Sequence, residues 1–259
     1  MPDDHSATLR GARPLFKRPT AELTDALERY RGILEAVHPL RPKHKAGLPL
    51  DVKVLSLALT SERGPGPKAN YLAFPGNLSA YLYYFLPWNL YRMARLLDGL
   101  DFDPPEGASI LDLGCGPLTF AQALWIARPD LRRRRLRIVC VDQTGQVLRL
   151  GKDLFDALSA EGGHAWSVEI VQAPVHKAPH EPFDAVVSLN ALNELARGRG
   201  EEGHNSLERV AELVSSRLAV GGRTLFVEPG TRLGGKLLSR LREELMELDL
   251  WPVGPCTHD

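Results

Sequence analysis

Cysteine is scarce in this chain: 259 residues hold three, Cys115, Cys140 and Cys256. Thiols so few and scattered cannot build the disulfide framework of a small secreted domain, and they suit a reducing compartment. Net charge is absent as well, with 32 Lys and Arg against 32 Asp and Glu. No overall basic field therefore holds a nucleic-acid backbone, and a polyanion must be met by local patches. The N-terminal MPDDHSATLR lacks the apolar stretch of a secretory signal. The one candidate for membrane insertion, LSAYLYYFLPWNL at 78–90, is shorter than the ~20 residues a span needs and contains Pro87. It reads as core. The expected location is the cytoplasm, with neither a membrane nor DNA as partner.

What is present describes a globular protein. Hydrophobic residues at 44% and charged residues at 25% exclude wholesale disorder, collagen-like repeats and a coiled-coil rod. The length suits one full domain with an appendage. Charge is uneven: residues 1–100 carry 14 Lys and Arg against 9 Asp and Glu, and residues 101–259 carry 18 against 23. In the front half the apolar spacing is helical. Leu23, Leu27, Tyr30, Leu34 and Val37 share one face, and Val52, Leu55 and Leu59 another. The stretch 38–49 is expected to break the first helix from the second, 61–70 to form an exposed loop, and Pro87 to split two further helices.

From residue 109 short apolar runs alternate with amphipathic helices, the signature of βαβ units and a parallel sheet. The runs are 109–114, 137–142, 167–172, 184–189 and 224–229. Helices are expected from near Thr119, Gly145, Asn205 and Thr231, the third capped by Asn205 and stopped at Gly221-Gly222. The fold class is α/β, a helix-flanked parallel sheet over residues 105–259. An all-helical N-terminal region, 1–104, lies on the lid or substrate side.

The first strand ends in ILDLGCGPLTF, a Gly-rich turn into a helix, where an open parallel sheet binds its ligand. Gly114 and Gly116 can adopt positive φ and let a ligand approach the backbone. Asp112 precedes the turn and Asp142 ends the next strand, where a carboxylate can accept both hydroxyls of a ribose. A dinucleotide site wants G-x-G-x-x-G, but the sixth position is Thr119. The pattern D-x-G-x-G fits S-adenosyl-L-methionine better, a ligand with a cationic sulfonium and no pyrophosphate to seat on a helix. A tight strand-to-helix turn without a ligand is the plain alternative. Against it, the other strand ends are also small or polar: Gln172, Ala173 and Pro174 after the third, and Asn190, Asn193 and Glu194 after the fourth. Cofactor contacts are thus expected from Asp112, Gly114, Cys115, Gly116, Asp142, Gln143, Gln172, Ala173 and Asn190. Tyr81 is a candidate lid over them.

These residues resemble the Rossmann-like class I methyltransferases over about 105–250. A narrower likeness rests on YLAFPGNLSAYLYYFLPWN, DLGCGPLT, LNEL, VEPGT and the terminal PCTHD. Together they resemble the ribosomal small-subunit methyltransferase-like family of mitochondrial small-subunit assembly and its bacterial relatives. The resemblance implies a class I fold, an adenosylmethionine site, and association with small-subunit ribosomal RNA or its assembly. It also implies an iron–sulphur cluster in longer members, starting at the equivalent of Cys256. This chain alone offers no four-thiolate set, and its end, with no closing pair of strands, reads as truncation or as loss of the cluster. The third glycine of the family loop is Leu118 here.

Methyl transfer to a carbon already activated by a sulfonium needs positioning more than a nucleophile. Neither Asn/Asp-Pro-Pro-aromatic nor Pro-Cys stands at the fourth strand end, so neither an exocyclic amine target nor a cysteine adduct is supported. Asn193 and Glu194 remain the catalytic candidates, with a helix-capping Glu194 as the plain alternative. Cys115 reads as a packed residue, Cys140 as strand core and Cys256 with His258 as tail, so no metal is expected. The run Arg132, Arg133, Arg134, Arg135 and Arg137 reads as a solvated loop away from the ligand edge. Basic residues of the front half, Arg10, Arg13, Lys17, Arg18, Arg41, Lys43 and Lys45, offer phosphate contacts, whereas Tyr81, Tyr84, Phe85 and Trp88 read as core. The sequence thus leads to an adenosylmethionine-dependent methyltransferase acting on or near small-subunit ribosomal RNA. Its rivals are a small-molecule methyltransferase with a helical lid and a non-catalytic assembly factor that binds the same cofactor.

Overall fold

The computed structural model describes residues 15, 16, 18–60, 71–100, 102–160, 162–196 and 201–254. Helix α1 (Ala21–Val37) starts where the Thr20 side chain accepts the Leu23 N–H at 3.1 Å, partnering a donor that the first turn leaves open. Its buried stripe is Leu23, Ala26, Tyr30 and Leu34. The expected break at 38–49 is present but confined to 38–41, because helix α2 (Pro42–Thr60) starts early. Pro42 takes the first helical position, where a missing N–H costs nothing, and Pro49 is carried inside the helix. The expected loop at 61–70 lies outside the described residues.

The expected split at Pro87 is overturned. The chain is helical from Pro75 to Gly99, as α3 (Pro75–Ala80), a π-helical turn (Tyr81–Phe85) and α4 (Leu86–Gly99). The Leu86 N–H bonds the Tyr81 carbonyl five residues back. That widened turn relieves the clash Pro87 would make with the carbonyl of the preceding α-turn. Among the described residues no helix is long and apolar enough to cross a membrane.

Strands and helices then alternate as β1 (Ser109–Leu113), α5 (Thr119–Ala127), β2 (Leu136–Asp142), α6 (Gly145–Ser159), β3 (Trp166–Gln172) and β4 (Phe183–Leu189). They continue with α7 (Leu192–Leu195), α8 (Glu201–Arg217), β5 (Leu218–Val227) and α9 (Arg232–Glu247). The sheet is parallel in the order β3-β2-β1-β4-β5, a Rossmann-like arrangement. The order reverses between β1 and β4, and the carboxyl ends at such a switch point form a crevice. Helix α8 begins before Asn205 and ends at Arg217, so Gly221-Gly222 does not stop it. The pair lies inside β5, where a register shift opposite Phe183 and Ala185 takes up Gly221 at φ 77°.

Period-two alternation sends Leu111, Leu113, Val139 and Val141 into one core with Leu207, Val214 and Leu241 of α8 and α9. Ile110, Ile138, Cys140 and Val187 enter the other core with α5 and α6, which runs on into Tyr30, Leu55, Leu82 and Leu90 of the N-terminal helices. One polar chain crosses it. The Tyr30 hydroxyl donates to Gln122 Oε1 at 2.6 Å, and the Gln122 amide donates to the Pro117 carbonyl at 2.6 Å. Helix α1 is thereby tied through α5 to the loop after β1.

The arginine run lies at the opposite edge of the sheet, as connectivity implied, but as paired charge rather than a free loop. Arg128 pairs with Asp103 and Asp130, Arg134 with Asp103, Arg135 with Glu106, and Arg137 with Glu169 and Glu181. Arg132 stacks on Trp125 at 4.6 Å.

The buried Tyr30–Gln122 bond is testable. Tyr30→Phe leaves the Gln122 carbonyl oxygen without its donor and should destabilise the fold by about 1–3 kcal/mol, read as a lower urea midpoint. An unchanged midpoint contradicts the polar chain.

Candidate cofactor site

After β1 the chain turns through three left-handed residues, Gly114 (φ 68°), Gly116 (φ 54°) and Leu118 (φ 57°). Leu118, at the third glycine position of a D-x-G-x-G-x-G pattern, holds a left-handed conformation that glycine would adopt without steric cost. This costs a residue with a Cβ about 1–2 kcal/mol, and complete burial of the leucine offsets it. The Gly114 and Cys115 N–H groups both donate to the Val141 carbonyl, at 2.9 and 3.1 Å. The Gly116 N–H donates to Asp142 Oδ2 at 3.1 Å, and the Thr144 N–H to Asp142 Oδ1 at 2.8 Å. Burial raises the Asp142 carboxyl above its ordinary pKa, and these N–H donors pull it back down. A Cβ added at Gly116 would meet nothing within 4 Å.

These groups open onto a cavity of about 450 Å³ at the switch point. Of the residues read from the sequence, Tyr81, Gly114, Cys115, Gly116, Asp142, Gln143, Asn190 and Glu194 line it. Four others do not. Asp112 is wholly buried on the sheet face, in register with Cys140, where burial and the Asp142 charge push its carboxyl well above the usual range. Gln172 packs against Gly145, with its amide 3.5 Å from the Gln143 carbonyl. Ala173 packs into the core on the α8 and α9 side. Asn193 turns its Oδ1 into a buried position. At the β3 end the wall is instead Pro174, Val175 and His176.

Sequence reasoning missed Tyr71 and Leu72 on the N-terminal side, Thr119 and Thr144 at the loops, and Ser206, Arg209, Val210 and Leu213 on α8. Thr119 and Thr144 flank residues already singled out. The α8 set carries no local signal, because only the packing of that helix brings it to the crevice.

Two acidic groups and a phenol set the electrostatics. Tyr81 sits in the π-helical turn, where such a turn often marks function. Its hydroxyl accepts from Asn89 Nδ2 at 3.3 Å, and burial pushes its pKa up to about 12. Asn190 adopts φ 55° and donates its N–H to the Val227 carbonyl at 2.7 Å, a strained corner that joins the ends of β4 and β5. Glu228, just past β5, accepts the Leu192 N–H at 2.8 Å and so holds the first turn of α7, which carries Glu194. Burial, and then the Glu194 charge, push Glu228 up to about 7. The motif containing Glu228 was visible in the sequence, but its role was not.

Comparison with known proteins gives a family. A family model described as mitochondrial small ribosomal subunit Rsm22 matches residues 77–259. No curated protein matches. The chain is similar to a crystal structure of a SAM-dependent methyltransferase from Thiobacillus denitrificans in complex with S-adenosyl-L-homocysteine. The two are 20% identical over 58% of this chain and 54% of that one, with a TM-score of 0.37. A putative class I S-adenosylmethionine-dependent methyltransferase from Listeria monocytogenes is 15% identical over 87% and 78%, with a TM-score of 0.45. A ribosomal protein L11 methylase from Lactobacillus delbrueckii subsp. bulgaricus is 14% identical over 60% and 66%, with a TM-score of 0.39. This chain thus spans about half the length of the first of these structures.

Glu228 predicts a pH dependence. Its folded pKa of about 7 lies above the ordinary 4.5, so the folded state binds this proton more tightly. Its contribution to stability is full below pH 4.5 and is lost as pH rises through 7. Across that window the wild type should lose on the order of 2–3 kcal/mol relative to Glu228→Gln, measured by denaturant titration at each pH. Parallel profiles for the two proteins contradict the shift.

Proposed function

This chain belongs to the Rsm22 family, and from that membership we propose that it is an adenosylmethionine-dependent methyltransferase acting on small-subunit ribosomal RNA or during small-subunit assembly. The supporting observation is the joined pair of Gly116 and Asp142 over the cavity. The Gly116 and Thr144 donors hold the Asp142 carboxylate at the end of β2, where such a group can accept ribose hydroxyls. The cavity volume falls within the range of about 300–1,000 Å³ typical of small-molecule sites. Pro174, Val175, Val210 and Leu213 supply apolar wall for an adenine, and the backbone from Gly114 to Gly116 faces the remainder of the ligand.

The bound cofactor supplies a methyl group activated by its sulfonium. The chain's own part is positioning. Tyr81, neutral at physiological pH, closes the site and can donate or accept a hydrogen bond beside the acceptor. Glu194 lines the same space, held by the Glu228–Leu192 bond, and serves as base when the acceptor must lose a proton. Asn193 is set aside as a contact, because the cavity wall excludes it. The N-terminal region 1–104 acts as lid and substrate side, with Tyr71, Leu72 and Tyr81 on the cavity.

Exposed aromatics favour RNA over a small neutral acceptor. The expectation that Tyr84 and Trp88 are core fails: they are 46% and 52% exposed on the helix that also carries Tyr81, and Arg92 one turn beyond Trp88 is exposed too. Aromatic faces stack unpaired bases and arginine meets their phosphates. Arg10, Arg13 and Lys17 lie outside the described residues. Cytoplasmic residence stays part of this proposal, alongside the mitochondrial subunit of the family's description.

Calorimetry with adenosylmethionine tests the site. Asp142→Ala should weaken binding by about 10-fold or more, the loss of charged hydrogen bonds. Wild type with no affinity sinks the proposal. Labelled-methyl transfer to small-subunit particles tests the acceptor: binding without incorporation favours the non-catalytic assembly factor. Separately, Tyr84→Ala with Trp88→Ala should weaken RNA binding by about 10-fold or more and leave cofactor affinity unchanged. The residual binding should fall steeply with salt.

A further inference from the structure

Asp112, Cys115 and Cys140 converge under the glycine loop, where Cys115 also borders the cofactor cavity while Asp112 and Cys140 lie outside it. Asp112 and Cys140 are paired Cα partners across β1 and β2, so the parallel register places their side chains together on one face of the sheet. Cys115 returns to the same place because the left-handed Gly114 and Gly116 fold the loop back over the strand end. All three side chains are buried, and one carboxylate oxygen and the two Sγ atoms lie within 4.8 Å of one another. Both Asp112 oxygens are buried without a hydrogen-bond partner, an arrangement that buried carboxyl groups rarely tolerate.

We propose that Asp112, Cys115 and Cys140 form a binding site for a single zinc ion that braces the glycine loop against the sheet. Two thiolates and a carboxylate are a ligand set zinc accepts, and its tetrahedral bonds place donor atoms about 3.5–3.8 Å apart. The three side chains need close by little more than an ångström to reach that spacing. The fourth position falls to an oxygen donor, with the Gly116 carbonyl 3.6 Å from Cys115 Sγ. Zinc matches this pocket better than a monovalent soft cation, because its two positive charges offset more of the three ligand charges in a dry interior. The site uses residues other than Cys256 and stands independently of methyl transfer.

The test uses the full chain, freed of metal by chelation and then given zinc or cobalt alone. Wild type should retain one zinc per chain after gel filtration, by mass spectrometry of the metal, and its cobalt form should show a thiolate-to-cobalt charge-transfer band. Cys140→Ser and Asp112→Asn should each lower zinc affinity by ~100-fold or more. Cys256→Ser should keep both zinc and band. Zinc should raise the wild-type melting temperature and leave that of a Cys115→Ala, Cys140→Ala double variant unchanged, which keeps the test open should a single variant fold poorly. Wild type without stoichiometric zinc overturns the proposal, as does zinc that persists in the folded double variant or is lost only with Cys256.

Discussion

The hydrogen bond from the Gly116 N–H to the Asp142 carboxylate joins two strand ends that the sheet alone would leave as separate loops. It depends on Gly116 standing at positive φ, which turns the N–H toward β2, and on Asp142 holding its carboxyl in a partly buried place at the end of that strand. Thr144 supports the same carboxylate from the far side, and α6 begins directly after it. One carboxylate thus links the glycine turn, one wall of the cavity and the start of a helix.

The same loop is gripped from behind. Gln122 donates to the Pro117 carbonyl and accepts from Tyr30, so α1 helps to hold a turn 87 residues later in the chain. From α6 the backbone of Pro117 comes so close that a Cβ on Gly151 would stand 2.5 Å from its carbonyl carbon. Leu118 adds an apolar plug to the loop. The turn can therefore remain in a costly backbone conformation, because several neighbours over-determine it.

Much of the fold was legible because its signals are local. Apolar runs of four to seven residues, a glycine turn after the first and aspartates at two strand positions suffice for a parallel sheet with a crevice at its carboxyl ends. The errors have physical causes. Prolines at 42, 49 and 87 looked like breaks, yet a first-turn position, an accommodated interior position and a π-helical turn absorbed them. Gly221-Gly222 looked like a helix end, yet a bulge in β5 used it. Tyr84 and Trp88 had core spacing, but their face of the helix is not covered by the rest of the described chain.

The sequence by itself determined the α/β class, the glycine loop and the Asp142 position, since each follows from periodicity or from residue types next to a strand end. Only the tertiary structure decided that Asp112 lies beneath the loop rather than on the cavity and that α8 supplies a wall. It also decided that Glu228 steadies the turn carrying Glu194, and that two scattered cysteines meet one buried carboxylate. These outcomes depend on which strands lie side by side and in what register. Contacts between residues far apart in the chain arise from packing and leave no mark on local spacing.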